Sequence, residues 1–499
     1  MVFKKVITWF SKSKPQSAAT TPSKSKAPAK QYVARTPRVI EGATTIPRSE
    51  HPVSRKDISP SALKVLYRLK DNGYEAYLVG GCIRDILLGL EPKDFDVVTN
   101  ATPEQVKRCF NNCRLIGRRF RLAHIMFGRE IIEVATFRGH HEAEAEPEEN
   151  ETKEQLAKKV SRQSDEGQLL RDNVFGSMEE DAERRDFTIN ALYYDIRDFS
   201  IYDFANGMAD IEKGLIDLIG EPETRYREDP VRMLRAIRFS NKLRMQIAER
   251  TEKPIFELAH LLQNIPPARL FDESLKLMLA GKAQVNYQSL RDYGLFRYFY
   301  PAVDKELTGN MDDKEERLLS IMFNATDTRI NSGKSVSPAY ILAAMFWYPL
   351  EAIATSLEQE GGLHPYDAFQ VATNDVLQQA VQTIAIPKRF TAAAREIWTF
   401  QHRLTKTTGK RPSVLIENPR FRAAYDFLVL RAQVEGGELV ELAQFWTDYQ
   451  QSDEGKKHAY ANPNQGKPSF KSKSPDSSYP KKKRKPRKYD KPKAKNQGS

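Results

Sequence analysis

Apolar residues recur along this chain at two spacings, and the change from one to the other divides it. In "DISPSALKVLYRLKDNG", Ala62, Val65, Leu66 and Leu69 return every three or four positions, which predicts a helix ended by Gly73. "YEAYLVG" then reads as a strand, "CIRDILLGL" as a short helix and "DFDVVT" as a second strand. "TPEQVKRCF" reads as a helix opened by Thr102 and Pro103. "HIMFG" and "EIIEVATFR" read as a hairpin turning at Gly128. Mixed strands and helices with at least one antiparallel pair predict a small α+β sheet domain rather than a long doubly wound one. From about residue 229 the spacing is helical almost throughout, in "DPVRMLRAIRFSNKL", "PARLFDESLKLMLAG", "SPAYILAAMFWYPL", "PKRFTAAAREIWTFQHRLTK", "PRFRAAYDFLVLRAQ" and "GELVELAQFWTDYQ", with no repeat of fixed period.

The pattern fails in three places. Residues 11–50 are rich in Ser, Pro, Ala and Lys, and residues 141–168 are polar and charged. Both compositions predict disorder, the second as a mobile insertion, and order is expected to end again near 452. Charge follows the same divisions. Residues 1–40 carry nine Lys/Arg and no acid; residues 455–499 carry fifteen against two. The whole chain is +12, so residues 41–454 come to −10, and the high pI belongs to the tails. A tail such as "YPKKKRKPRKYDKPKAK" attracts nucleic acid through counterion release, with Tyr479 and Tyr489 available for stacking.

No run of about 18 apolar residues occurs, so no spanning helix is expected. The N-terminal "MVFKKVITWFSKSKPQ" is too short in apolar residues for a secretory signal; its lysines interleaved with apolar residues would allow only weak contact with a membrane surface. Three cysteines, Cys82, Cys109 and Cys113, make no disulfide framework and fit a reducing cytoplasm. "CFNNC" lacks a second ligand pair for zinc. The histidines form no cluster; His124 and the His140–His141 pair read as structural or loop residues.

Chemistry concentrates in three stretches. Asp94 and Asp96 lie two apart on the expected strand, so both carboxylates share a face. Burying such a pair is costly, and a divalent cation removes the cost; two hard carboxylates sharing Mg²⁺ suit nucleotidyl transfer. Gly80 and Gly81 follow a strand and open a helix, where bare backbone N–H groups approach phosphate, with Arg84 and Asp85 one turn on. In "MEEDAERRDFTINALYY" a helix would place Glu179, Asp186 and Asn190 on one face, flanked by Arg184 and Arg185, for triphosphate, sugar or metal. In "REDPVRMLRAIRF" Asp229 reads as an N-cap before Pro230, and Asp229, Arg232 and Arg235 fall three apart beside the buried stripe Val231, Leu234 and Ile237. A fixed carboxylate and guanidinium can read the Watson–Crick edge of a base.

Taken together, "LVGGCIRD" with "DFDVVT", "DAERRDFTINAL" and "EDPVR" with "RAIRF" resemble the class II nucleotidyltransferases of the polymerase-β superfamily, the bacterial poly(A) polymerases and CCA-adding enzymes. The motifs occur in that family's order over residues 77–239, and the likeness continues loosely through "PPARLFDESLKLMLAG". The resemblance implies a polymerase-β-like palm followed by an all-helical neck and body. The expected organisation is a disordered basic segment 1–50, a catalytic domain 51–226 interrupted at 141–168, a helical neck 227–300, a helical body 301–452 and a disordered basic tail 453–499. By the same resemblance Asp94 and Asp96 carry metals, Glu228, Asp229 and Arg232 face the incoming base, and Arg185 and Asp186 join the nucleotide pocket. The third acid is Glu133 from a neighbouring strand, or Glu179 or Asp186 from the acidic helix; the sequence leaves these open. "GRRFRLAHIMFGREIIEVATFRGHH", the charged insertion, "LLRDNVFGSMEED" and the basic tail resemble the poly(A) polymerase branch more than the CCA-adding one. That branch implies ATP as substrate, Mg²⁺ as cofactor, RNA 3′ ends and RNA-decay proteins as partners, and a monomer. The competing readings are a tRNA CCA-adding enzyme and a non-catalytic RNA-binding protein.

Overall fold

The computed structural model describes residues 39–117, 121–139 and 175–453. The expectations for residues 1–38, the insertion 141–168 and the tail beyond 453 lie outside the described residues. The chain forms two compact units: one reaches Phe299 without the segment Leu279–Gly281, and the other comprises that segment and everything from Tyr300.

The first unit is built on an eight-stranded mixed sheet. Its strands are β1 (Thr44–Ile46), β2 (Ala76–Val79), β3 (Asp96–Thr99), β4 (Cys113–Ile116), β5 (Leu122–Phe127), β6 (Glu130–Thr136), β7 (Leu192–Tyr194) and β8 (Ile201–Asp203), in the order β1-β8-β7-β2-β3-β6-β5-β4. Only β3 and β6 run parallel; the other neighbours are antiparallel. The sheet is larger than the sequence suggests, because β1, β4, β7 and β8 are three or four residues long and give no readable period. Secondary structure also begins earlier than residue 51: β1 pairs with β8 through Thr44–Asp203 and Ile46–Ile201.

Alternation along the strands gives the sheet two faces. Leu78, Val97, Val134 and Tyr194 point into the larger core, where helix α1 (Pro60–Asp71) contributes Val65, Leu66 and Leu69. Tyr77, Val79, Val98, Tyr193 and Tyr202 point to the other face, against Met178 and Ala182. The elements close as their sequences require. Gly73 takes φ +86° just after α1, and Gly128 takes φ +65° in the β5–β6 turn, conformations a side chain would strain. Helix α2 (Gly81–Leu87) leaves β2 at Gly80, and α3 (Pro103–Cys109) starts on a reciprocal Thr102–Gln105 capping box. Helix α4 (Met178–Glu183) does the same with Ser177 and Glu180.

Helices then take over within the same unit: α5 (Gly207–Lys213), α6 (Pro222–Glu228), α7 (Val231–Leu243), α8 (Glu249–Leu258), α9 (Pro267–Met278) and α10 (Ala283–Asp292). Helix α7 buries Val231, Leu234 and Ile237 as expected. Its cap differs from the expectation. Pro230 occupies the N-cap position and Asp229 closes α6, because Pro230 has no N–H to continue that helix; Asp229 Oδ1 still accepts from the Val231 N–H at 3.3 Å. The second unit is helical. Its helices Pro338–Met345 and Lys388–Leu404 pack together, and the Trp398 indole N–H donates to the Ala343 carbonyl at 2.8 Å. Trp446, on Glu438–Gln451, donates likewise to Leu404 O at 2.9 Å. Among the described residues no single helix is long and apolar enough to cross a membrane.

Candidate active site

Asp96 opens β3, and its Cα partners are Val79 on β2 and Glu133 on β6. Partners in register share a face, so Asp96 and Glu133 emerge side by side on the face carrying Val79 and Tyr193. Asp94 lies two residues before the strand proper, and buried Phe95 between the two aspartates keeps the alternation going. The two carboxylates therefore share a face, with only Asp96 inside the strand. Desolvation, then the Glu133 charge, with Asp94 adding a smaller push, drive the Asp96 carboxyl up to about 6, and Arg185 opposes them. Glu133 also pairs with His124 at 3.2 Å. Among the described residues no three Asp, Glu, His or Cys side chains gather into a closed metal cage.

The raised carboxyl makes a prediction about stability. A carboxyl whose value in the fold exceeds its unfolded one, 3.8, stabilises the fold while protonated and loses that contribution as pH rises toward about 6. Asp96→Asn is therefore expected to raise the Tm of the metal-free protein at about pH 8, the gap from wild type closing below about pH 4. Thermal melts in chelator measure it; an unchanged or lower Tm at the higher pH removes the like-charge reading.

Gly80 and Gly81 lie where β2 passes into α2, next to this face. Gly80 takes φ +78°, and a Cβ there would meet Arg185 Nη1 at 3.7 Å and the Asn190 carbonyl at 3.8 Å. Arg185 lies just past the Arg184 cap of α4. Its guanidinium is held by Asp181 and Tyr193, which keep it charged against the desolvation of burial.

The "RRD" segment departs from the expected geometry. Helix α4 stops at Glu183, and Asn190 ends a separate short 3-10 turn, Thr188–Asn190. The shared helical face of Glu179, Asp186 and Asn190 therefore does not exist, since the chain leaves the helix after Glu183 and runs extended at Phe187 into the core. Exposed Glu179 sits against Gly42, where its Oε1 lies 2.5 Å from the place of a Gly42 Cβ. Asp186 and Asn190 do meet, in another way. Asp186 Oδ1 accepts from Asn190 Nδ2 at 3.1 Å and from the Phe187 N–H at 2.8 Å, and Oδ2 pairs with Arg235 Nη2 at 2.5 Å. Burial works against ionisation, but Arg235 and these donors hold the Asp186 carboxyl below its usual range. Asn190 Oδ1 accepts from Arg84 Nη1 at 2.6 Å. Arg84 also pairs with Asp85, whose other oxygen takes Lys242 at 3.0 Å. Arg84 and Asp85 are thus buried, and the bonds they make here brace the Asn190 segment and α7 against α2.

A second cluster lies on α6 and α7. Glu228 Oε2 accepts from Arg225 Nη1 at 2.8 Å and Arg232 Nη1 at 2.9 Å. Asp229 is gripped by both terminal nitrogens of Arg269, at 2.8 and 2.7 Å, and its carboxyl is held low despite desolvation. Arg225 reaches on to the Arg184 and Arg185 carbonyls at 2.8 and 2.6 Å, tying this cluster to the Arg185 segment. Asp229, Arg232 and Arg235 accordingly face three different partners, Arg269, Glu228 and Asp186. Asp181, Tyr193, Arg225 and Arg269 escaped the sequence reading. Only Asp181 left a trace there, as the first acid of D-x-x-R-R-D.

Comparison with known proteins places this geometry. The poly A polymerase head domain family model matches residues 76–217, the model for a probable RNA and SrmB-binding site of polymerase A matches 244–307, and the polymerase A arginine-rich C-terminus matches 361–489. The chain is 56% identical to poly(A) polymerase I of Salmonella typhimurium over 86% of its own length and 90% of the relative's. It is 51% identical to poly(A) polymerase I of Haemophilus influenzae over 82% and 88%. The CCA-adding enzyme of Lactobacillus helveticus reaches 34%, over 47% of this chain and 54% of the relative. In three dimensions the chain is similar to the Bacillus stearothermophilus CCA-adding enzyme in complex with CTP, with TM-score 0.52, 25% identity, and 79% and 83% of the two chains covered. The head-domain match spans the strands bearing Asp96 and Glu133, and over more than four fifths of the chain the likeness runs to poly(A) polymerases I at 51–56% identity; the chain belongs to the bacterial poly(A) polymerase I family.

Proposed function

We propose that the protein is a template-independent polynucleotide adenylyltransferase, which moves AMP from ATP onto RNA 3′ ends and releases pyrophosphate. The observation that carries this reading is the 56% identity with a poly(A) polymerase I over 86% of the chain, set against 34% over 47% for a CCA-adding enzyme.

The site residues suit that reaction. Asp94, Asp96 and Glu133 offer hard oxygens on one sheet face, and the upward push on Asp96 marks a place short of positive charge. Mg²⁺ is commonly held by one or two carboxylates and completes its shell with water and phosphate, so this donor set fits it. A divalent cation held by Asp94, Asp96 and Glu133 would supply Lewis acidity, lowering the pKa of the RNA 3′-hydroxyl and offsetting charge on the leaving pyrophosphate. The chain's own groups position the reactants. The bare backbone at Gly80–Gly81 admits phosphate closely. Arg185 presents charge beside it, Asp186 and Asn190 fix the wall behind, and Glu228, Asp229 and Arg232, held by Arg225 and Arg269, face the base. The RNA hydroxyl attacks the α-phosphorus in line, so no side chain acts as nucleophile.

The wider setting follows from the same reading. The three cysteines are free and buried, which fits a reducing cytoplasm. Adenylation of RNA ends there would feed mRNA processing and decay, with decay proteins as partners, the basic tail gripping RNA and the protein acting as a monomer.

One incubation tests the core of this. The purified full-length protein receives labelled ATP, Mg²⁺ and a short RNA, and in parallel CTP with a tRNA lacking its 3′ end. Long adenylate ladders are expected in the first tube. Addition of C and A to the tRNA that then stops would reassign the chain to CCA addition, and no incorporation in either would leave an RNA-binding protein.

A further inference from the structure

Arg185 has three hydrogen-bonding edges, and two are committed. Its Nε donates to the Tyr193 hydroxyl at 2.9 Å and to Asp181 Oδ2 at 3.2 Å; its Nη2 donates to the same Oδ2 at 2.9 Å. The Tyr193 hydroxyl donates to that oxygen as well, at 2.8 Å, and Asp181 Oδ1 accepts the Arg138 backbone N–H at 3.2 Å. Asp181 is 6% exposed and Tyr193 not at all. The Tyr193 ring lies under the guanidinium, 5.2 Å from its centre. The remaining edge, Nη1, faces Gly80.

We infer that Asp181 and Tyr193 are positioning residues for the nucleotide: they hold Arg185 back from the Asp96 carboxylate and turn its Nη1 edge toward Gly80, where the ATP phosphates bind. The inference rests on the adenylyltransferase reading. Its physical basis is competition between anions. Arg185 Nη1 stands against the Gly80 turn, and its partner Tyr193 shares a row of the sheet with Val79 and Asp96. A guanidinium without other partners would fold onto those carboxylates and cover the place a cation needs. Asp181 offers a buried carboxylate on the far side, and the Tyr193 hydroxyl adds a neutral acceptor for Nε. The clamp is also rigid. Tyr193 pairs in register with Val79, which pairs in turn with Asp96, so ring and carboxylate stand in one row of the sheet. An arginine fixed on two edges loses little freedom when phosphate takes the third.

The test uses full-length variants and two readouts. Tyr193→Phe keeps the ring and removes the hydroxyl. The KM for ATP is expected to rise about 5–10-fold with kcat within about twofold of wild type. The Kd for MgATP, measured by calorimetry without RNA, should rise by the same factor. Asp181→Asn, close in shape, should act in the same direction and further. On an Arg185→Ala background Tyr193→Phe should change neither quantity, because it acts only through Arg185. Unchanged KM and Kd in Tyr193→Phe, a loss confined to kcat, or a full additional loss on the Arg185→Ala background would each overturn the inference. Should Tyr193→Phe melt early, Asp181→Asn and its cycle with Arg185→Ala decide in its place. A wild type that binds ATP but extends no RNA would defeat the polymerase reading, while calorimetry still judges the clamp.

Discussion

Asp96→Ala is expected to lower RNA extension by at least about 10³-fold, and Asp94→Ala to do the same, with RNA affinity nearly intact. Asp96 sits in register with Glu133 and two residues after Asp94, on the sheet face that also carries Val79 beside the Gly80 turn. Its charge is wanted only when a cation and a triphosphate arrive, so losing it removes stabilisation that appears in the transition state rather than in RNA binding. Affinity for RNA is expected to come largely from another source, the fifteen Lys/Arg of residues 455–499, and polyelectrolyte attraction of that kind is indifferent to one carboxylate elsewhere. Primer extension resolved on a gel and filter binding over a salt series measure the two quantities separately. Extension near wild-type level by either variant at ordinary Mg²⁺ would refute the metal assignment. Equal loss of extension and of RNA binding would instead mark a folding defect.

What the sequence disclosed and what it hid have physical causes. Helix α1, the β5–β6 hairpin and the stripe on α7 were legible because each repeats a pattern over enough residues to show a period. The start of α3 was legible because Thr102 and Pro103 act within one turn; the reciprocal bond from Gln105 came with the structure. The short strands β1, β7 and β8 were not, since three residues carry no period and their pairing is decided by partners far along the chain. The same division holds at the site. Asp94, Asp96 and Gly80 announce themselves locally. Adjacency of Asp96 to Glu133 needed the parallel β3–β6 register, so a strand donor and a helix donor looked alike. The spacing of Glu179, Asp186 and Asn190 misled because it presumed the helix continued through Phe187, a residue drawn into the core. Tyr193 and Arg269 lie eight and forty positions from the residues they hold, and neither distance matches any local motif.

Asp186→Ala is expected to destabilise the protein by about 3 kcal/mol, the low end for removing one partner of a buried ion pair because Arg235 is partly open to solvent. The cost comes from what Asp186 leaves behind. Arg235 loses its counter-ion and Asn190 loses its acceptor, while Asn190 is the link to Arg84 and through it to Asp85 and Lys242. That chain joins α7 to the segment after α4 and to α2, so it fixes α7 against the Gly80 turn. Asp186→Asn keeps the shape and part of the hydrogen bonding, and should cost roughly half as much. The pH dependence has a definite sign. The Asp186 carboxyl is held below its unfolded value of 3.8, so its contribution is present above that value and is lost as pH falls through the lower one. Urea unfolding of wild type and Asp186→Ala should therefore differ by about 3 kcal/mol near neutrality and converge on acidification below about pH 4. The KM for ATP should rise in both variants, because the Asn190 carbonyl stands 3.8 Å from the place of a Gly80 Cβ and moves when its side chain is released. A loss under about 1 kcal/mol that is flat with pH would mean that Arg235 and Asn190 find other partners, and that α7 is held to the sheet by packing alone.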